Sequence, residues 1–422
     1  MTGAPKAEPA GLVLCSRESA ALDDLLSRTA SAGWHVIVVS AGKGLEPWSV
    51  LAGGAADVVT WDGDPAAVLS RLARAREVDE LVRAPQVTST MRGSSPALAA
   101  ALRDLVTAAR FARGPILILG ETGTGKELAA RVAHRMGSAS GQLVVVDCTT
   151  IVPSLSGSEL FGHEKGAFTG AVNVRIGACA AANGGTLLLD EVGELPSGLQ
   201  SELLRVVQEG TYKRVGSDTW HTTRFRLVCA TNRDLAEEVR AGRFRADLYH
   251  RIAASTVRMP PLRERPEDVV PLFTAFVAEA QGRADPVRLT PWVERVVRNR
   301  EYPGNLRDLR QLAQRVAARH VGPGPVTPGD LPHADRPDRS RPVLEPDGEA
   351  RDLGELLDRV VRVHLAAGTN LRDLRERVAE VAVDAALSES GGNVRAAAVR
   401  LGVTDRALHH RLAEARKRSE VS

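Results

Sequence analysis

Aromatic residues are scarce in this chain, 4% of 422 positions, and there are only four cysteines. Cys15, Cys148, Cys179 and Cys229 stand far apart, without the spacing of a metal site, and read as small core residues in a reducing compartment. No apolar run approaches the roughly 20 residues needed to span a bilayer, and the N-terminus lacks the basic start and apolar core of a secretory leader. A cytoplasmic protein is expected. Charge of one sign is also lacking. The net charge of +3 is too small to argue for nucleic acid from the total, so any basic surface must be local. What remains is an ordinary globular composition, 43% hydrophobic and 25% charged, in a chain long enough for several domains.

The chain divides by pattern. Residues 1–86 alternate short apolar runs with helical ones (LVLC, ALDDLLSRTASAG, HVIVVS, ADVVTW) and resemble a truncated response-regulator receiver module. A receiver needs an acidic pair after its first strand, where this chain has Cys15 and Ser16. Asp57, Asp62 and Asp64 are the nearest phosphate acceptors, so a sensory or packing module that is not phosphorylated is expected. Residues 87–258 alternate strands and helices, and 259–334 are helical. A stretch rich in Pro, Gly and Asp then leads into a linker at 335–350. Residues 351–422 turn helical again and close on a compact two-helix pattern.

The chemistry gathers around PILILGETGTGKELAARVAHR, Pro115 to Arg135, which reads as buried strand, glycine turn and helix. Gly120, Glu121, Thr122, Gly123, Thr124, Gly125, Lys126 and Glu127 follow the phosphate-binding loop, whose backbone N–H groups curl around phosphates that the lysine neutralises. Glu127 stands where that loop usually carries a magnesium-binding Ser or Thr, so the metal must be held mainly by another acid or by water. The strand TLLLD followed by Glu191 supplies acids: Asp190 for Mg2+ and Glu191 to polarise water. A later strand ends in Thr231 and Asn232, placed to contact the γ-phosphate or the attacking water. In FRADLYHR, Arg245 and Arg251 stand beside Asp247, as arginine fingers acting in trans would if subunits form a ring. FGHEKGAFTGA spaces Gly166 and Gly170 around Ala167, Phe168 and Thr169, with Ala171 behind. This is a glycine-hinged loop with an aromatic tip that expects a partner.

In this order, GETGTGKE, SELFGHEKGAFTGA, GGTLLLDEVGELP, ATNRDL, GRFRADLYHRI, PPLRER and YPGNLRDL resemble the sigma-54-dependent transcriptional activators, bacterial enhancer-binding proteins of the AAA+ class. The resemblance implies an α/β AAA+ P-loop ATPase: a parallel sheet with helices on both faces, plus a helical lid. It would be flanked by the receiver-like module and an all-α helix-turn-helix domain. It implies ATP and Mg2+ as cofactors, and a ring, usually of six subunits. The Gly166–Ala171 loop would remodel the sigma-54 RNA polymerase closed complex, Arg245 and Arg251 would act as fingers from the neighbour, and Arg307 as the lid arginine reading the nucleotide. Asp147 departs from the family, where Asn is frequent, and would repel Glu191. Tyr302 replaces a frequent Trp.

At the C-terminus, Gly391 and Gly392 break a helix, Asn393 can cap the next, and Leu401, Gly402 and Val403 form a turn before a helix capped by Thr404. Helix-turn-helix spacing with a local basic excess suits double-stranded DNA, and the segment resembles a Fis-type domain. Arg395, Thr404, Asp405, Arg406, His409, His410 and Arg411 are the expected contacts. Two other readings stay open on sequence: a DNA-binding regulator of the housekeeping polymerase, and an AAA+ protein-remodelling enzyme that leaves DNA alone.

Overall fold

The computed structural model describes residues 10–336 apart from 138 and 152–155, and further on residues 375, 378–379, 382–383, 386, 390, 393–403 and 408. They fall into two units that divide after Pro337.

The N-terminal module runs β1 (Ala10–Arg17), α1 (Ala20–Ser31), β2 (His35–Gly44), α2 (Pro47–Ala52), β3 (Asp57–Thr60) and α3 (Ala66–Arg83). Its strands are parallel and in chain order, β1-β2-β3. Side chains alternate across β2, so Val36 and Val38 pack on Leu22, Leu26 and Val50, while Ile37 and Val39 pack on Val59 and Val68 of the other face. In the receiver order 2-1-3-4-5 the first strand lies between the second and third. Here β2 is central, and the three strands lie in chain order as strands 3, 4 and 5 do in that fold. The three candidate acceptors have structural duties. Asp57 pairs with Arg71, Asp62 accepts the Asp64 N–H (3.0 Å), and Asp64 accepts the Ala66 N–H (2.8 Å) at the start of α3.

No break in packing separates this module from the domain after it. Asp79 on α3, almost fully buried, takes the Arg103 guanidinium at 2.7 Å, and Arg74 lies over the Phe111 ring. Both partners stand on the helix Pro96–Phe111, so α3 is shared between the module and the next domain.

That domain continues with α4 (Pro85–Thr88), α5 (Pro96–Phe111), β4 (Ile116–Leu119), α6 (Lys126–Met136), β5 (Leu143–Asp147), α7 (Ser156–Phe161), β6 (Gly162–His163) and β7 (Arg175–Ile176). It goes on through α8 (Ala178–Ala181), β8 (Thr186–Asp190), α9 (Ser197–Glu209), β9 (Thr211–Lys213), β10 (Trp220–Thr222), β11 (Arg226–Thr231), α10 (Leu235–Arg240), α11 (Ala246–Ile252) and β12 (Ser255–Arg258). The central sheet has five parallel strands in the order β12-β4-β11-β8-β5. Strands covered on both faces read as continuous apolar runs, as ILIL and TLLLD do. Ile116, Ile118, Leu188 and Val228 pack towards α5 and α6, whereas Leu117, Leu187, Leu189 and Cys229 pack towards the helices between α7 and α11. Each such aliphatic side chain contributes roughly 1.5–3 kcal/mol over an exposed one. Ser95 caps α5 with Pro96 at its first position, and Asp234 caps α10 through the Ala236 and Glu237 N–H groups.

The helical part comprises α12 (Pro266–Ala280), α13 (Pro291–Asn299) and α14 (Asn305–Ala317), closed around Phe273, Val277, Val293, Val297, Leu309 and Leu312. Tyr302 is half-buried there, its hydroxyl donating to the Val297 carbonyl at 2.7 Å. Asp335 is gripped by Arg300 and by Arg315 (3.0 Å), so lid packing runs past the boundary read at 334 into the expected linker.

In the second unit α15 (Val394–Leu401) starts as the sequence suggests, with the Asn393 side-chain oxygen accepting the N–H groups of Arg395 (3.1 Å) and Ala396 (3.2 Å). Val383, Ala386, Ala398 and Leu408 form a small core, and Gly402 at φ +66° makes the turn. Thr404, Asp405, Arg406, His409, His410 and Arg411 lie outside the described residues; Arg395 is exposed.

Candidate nucleotide site

The loop between β4 and α6 lies at the C-terminal end of the parallel sheet, where α/β folds place ligands. Gly125 caps α6 at φ +98°, and the free N–H groups of the first turn face the loop. Gly123, at φ +80°, is required twice over: a Cβ there would fall 2.2 Å from the Gly304 carbonyl oxygen of the lid. The Lys126 ammonium, almost fully buried, donates to the Gly120 carbonyl (3.0 Å) and pairs with Glu191 Oε1 (3.2 Å). The other Glu191 oxygen accepts the Asn232 N–H (3.0 Å), and the Asn232 amide donates to Thr122 Oγ1 (3.1 Å). Thr231 is buried, its hydroxyl accepting the Arg233 N–H at 3.1 Å. Lys126, Glu191, Thr231 and Asn232 are thus gathered in one place, as their motifs suggest.

Asp190 ends β8 beside Asp147, in register across the strand pair. Burial pushes the Asp190 carboxyl above the usual range, and the neighbouring Glu191 and Asp147 charges add to this. Such a carboxylate suits a divalent cation. Among the described residues no group of three or more His, Cys, Asp or Glu could hold a metal by itself. Mg2+ keeps several waters and binds through one or two carboxylates plus substrate phosphates, a role open to Asp190. The sequence suggests that Asp147 repels Glu191; in the structure its charge bears on Asp190. The Asp147 carboxylate accepts from Thr149 N–H (2.9 Å) and Oγ1 (2.7 Å) in its own turn.

Two expected loop contacts are different from their motif reading. The Glu127 carboxylate pairs with Arg131 on α6 at 2.7 Å, and the Glu121 carboxylate takes Arg263 in a fork at 2.9 and 2.6 Å. Both carboxylates are thus engaged by arginines, one on α6 and one at the start of the helical part.

Sequence reasoning missed the lid's grip. Asn305 donates to Glu121 Oε2 (3.2 Å) and the Thr122 carbonyl (3.0 Å), accepts the Leu262 N–H (2.7 Å), and the Leu306 N–H reaches the Gly123 carbonyl (3.0 Å). Glu191 (φ +49°) and Asn305 (φ +52°) are the non-glycine residues in the left-handed region among those described, and both touch this site. Strain of about 1–3 kcal/mol per residue persists only where surroundings impose it. The signal for Asn305 was present in the string PGNL, since Asn tolerates that conformation best. Met91 and Leu306 side chains flank Gly125, and Arg307 Cβ lies 3.3 Å from where a Gly123 Cβ would stand. Arg307 is therefore beside the loop.

The Gly166–Ala171 loop is a closed turn: Gly166 N–H donates to the Ala171 carbonyl (2.8 Å) and Ala171 N–H to the Phe168 carbonyl (2.9 Å). Thr169 and Gly170 are exposed. Phe168 is not the bare tip expected from sequence; its half-buried ring meets His163 edge-on at 4.9 Å, and the exposed apolar residues are Val172, Val174 and Ile176 on the return limb. The segment linking β9 and β10 braces the loop, with Glu164 N–H donating to the Val215 carbonyl, Arg214 pairing with Glu164 at 3.0 Å, and Gly216 lying against Ala167.

A parallel five-stranded sheet with a phosphate loop, a paired Asp-Glu strand end and a helical lid bonded back onto that loop define an AAA+ ATPase. Residues 91–258 match the sigma-54 interaction domain and residues 263–343 the AAA+ ATPase lid domain. The chain is 37% identical over 396 residues to the nitric oxide reductase transcription regulator NorR2 of Cupriavidus necator, covering 86% of this chain and 75% of the relative. It is 41% identical over 312 residues to the DNA-binding transcriptional regulator NtrC of Azospirillum brasilense, covering 70% of this chain and 63% of the relative. The crystal structure of NtrX from Brucella abortus in complex with ATP superposes with a TM-score of 0.53 at 27% identity, over 96% of this chain and 88% of that one. The chain belongs to the sigma-54-dependent transcriptional activators. It is an ATP-hydrolysing transcriptional regulator, with Mg2+ as the usual partner of its nucleotide.

Proposed function

We propose that the chain works as a ring, in the manner of a hexamer, in which each ATP lies between two subunits. The observation that carries this is where Arg251 stands. It closes α11, before the start of β12, whereas the phosphate loop follows the far end of β4, the parallel neighbour of β12. Four residues of strand at ~3.3 Å each put about 13 Å between those ends. Arg251 therefore serves another subunit's nucleotide, while Arg245 is held by Asp247 (2.8 Å) and Ser201 (3.2 Å) on the same side.

Within one subunit, Lys126 and the α6 N–H groups hold the phosphates, and Asp190 holds Mg2+, which neutralises charge on the phosphate oxygens. Glu191 exchanges its Lys126 pairing for the attacking water, with Thr231 and Asn232 on its flank and Arg307 reading the nucleotide from the lid. The strand end that carries Glu191 is bonded to Asn232, and the loop at Gly166–Ala171 is carried by the separate β6–β7 pair, whose flanking helices α7 and α8 share a core with β8. Turnover is thereby transmitted to a loop that presses on sigma-54 in the closed polymerase complex. The C-terminal helices hold double-stranded enhancer DNA, with Arg395, Thr404, Asp405, Arg406, His409, His410 and Arg411 supplying the contacts, in the cytoplasm.

Thr169→Ala tests the loop assignment. The variant is expected to hydrolyse ATP at the parental rate and to lose open-complex formation at a sigma-54 promoter by at least tenfold in purified transcription. Normal activation by the variant would refute it.

A further inference from the structure

A cleft of about 490 Å³ opens at the end of the central sheet opposite the phosphate loop, where β4 and β11 begin and α11 ends. Arg113, Arg224, Arg226, His250 and Arg251 line it, and no carboxylate does. Arg226 is already engaged, its guanidinium donating to the Ala108, Ala109 and Ala112 carbonyls at the C-terminal end of α5. The side chains of Arg113, Arg224 and Arg251 have no hydrogen-bond or ion-pair partner among the described residues. Elsewhere on the domain several exposed arginines pair, Arg131 with Glu127, Arg243 with Glu238 and Arg258 with Glu264, and what sets Arg113, Arg224 and Arg251 apart is that they share one concavity. Three unpaired guanidinia around one concavity repel each other until a multiply charged anion arrives, and planar forked donors suit phosphate oxygens.

We propose that this cleft is an anion site, and that its ligand is the phosphate chain of the nucleotide bound to the adjacent subunit, with Arg113 and Arg224 acting beside Arg251. The proposal rests on the ring reading given above. It makes the triphosphate part of the contact between subunits, so assembly and hydrolysis fall together when the cleft loses charge.

The test is the full-length Arg113→Gln/Arg224→Gln variant. Both positions are exposed, and a melting curve matching the parent is the folding control. A fluorescent ATP analogue is expected to bind its own phosphate loop as before, while turnover at saturating ATP falls at least tenfold. Mixing with Lys126→Ala subunits, whose cleft is intact, restores part of the activity, and the Arg113→Lys/Arg224→Lys variant keeps most of it. Parental turnover in the Gln variant overturns the proposal. So does loss without rescue in mixtures where Arg251→Gln is rescued; the ring reading then stands and the cleft assignment falls. If Arg251→Gln is not rescued either, both fall. Binding of inorganic tripolyphosphate to the Lys126→Ala chain that the Gln pair abolishes, with turnover in mixed rings unaffected, assigns the cleft to a free anion and overturns the shared site.

Discussion

Asp190 is the residue at which geometry and charge conflict most. Burial, helped by Glu191 and Asp147, raises its carboxyl, so the folded chain binds a proton more readily than the unfolded one. Stability therefore falls as pH rises from the ordinary carboxylate range through the raised value, because in that window the native state holds more protons. Asp190→Asn removes the charge and keeps the shape. In the absence of Mg2+ it is expected to melt higher than the parent at neutral pH, with the difference closing in acid, while Mg2+-dependent ATP turnover is lost. Equal melting of the two proteins at pH 7 and in acid would show that burial does not set this carboxyl. The residue types here were legible because phosphate chemistry needs a lysine, a metal-binding acid and a water-orienting acid at strand ends. The Lys126–Glu191 ion pair was not, since it joins positions far apart in the chain.

At the scale of elements, the lid and the phosphate loop meet through one side chain of unusual conformation. Asn305 opens α14 in the left-handed region and makes three side-chain hydrogen bonds, two to the loop and one to Leu262. Asn305→Gly keeps that backbone accessible and deletes the bonds. The expected results are a rise of several fold in KM for ATP, a smaller change in kcat, and a loss of about 1–3 kcal/mol in denaturant unfolding. Unchanged KM would remove Asn305 from nucleotide positioning. The helices and strands themselves were readable from apolar period and caps: Asn393 caps α15 as its sequence suggests. The Phe168 tip was misjudged because its shelter, His163, is placed by the β6–β7 pairing and the brace at Val215, neither of which shows in local pattern.

For the whole molecule, the N-terminal module is joined to the ATPase by a helix that belongs to both. Leu81 and Val82 of α3 pack against the core that holds α5 and α6, and Asp79 holds Arg103. Two truncations separate these roles. A chain starting at residue 65 keeps α3 and is expected to melt close to the parent. A chain starting at residue 87 uncovers α5 and loses on the order of 2–4 kcal/mol. If both unfold alike, α3 is no part of the ATPase fold. The domain boundary at 86 was drawn where the alternating pattern stops, but packing ignores that line.

By itself the sequence determined the chemistry and the class: glycines where backbone must approach phosphate, acids at the ends of apolar strands, and a loop whose string is specific to one family. These are local requirements, written in residues close together in the chain. Only the tertiary structure decided the strand order of the N-terminal sheet, the lid's bonds to the loop, and the gathering of unpaired arginines at the far end of the sheet. Each depends on which distant segments pack together, and burial, register and close backbone approach fix that across the fold.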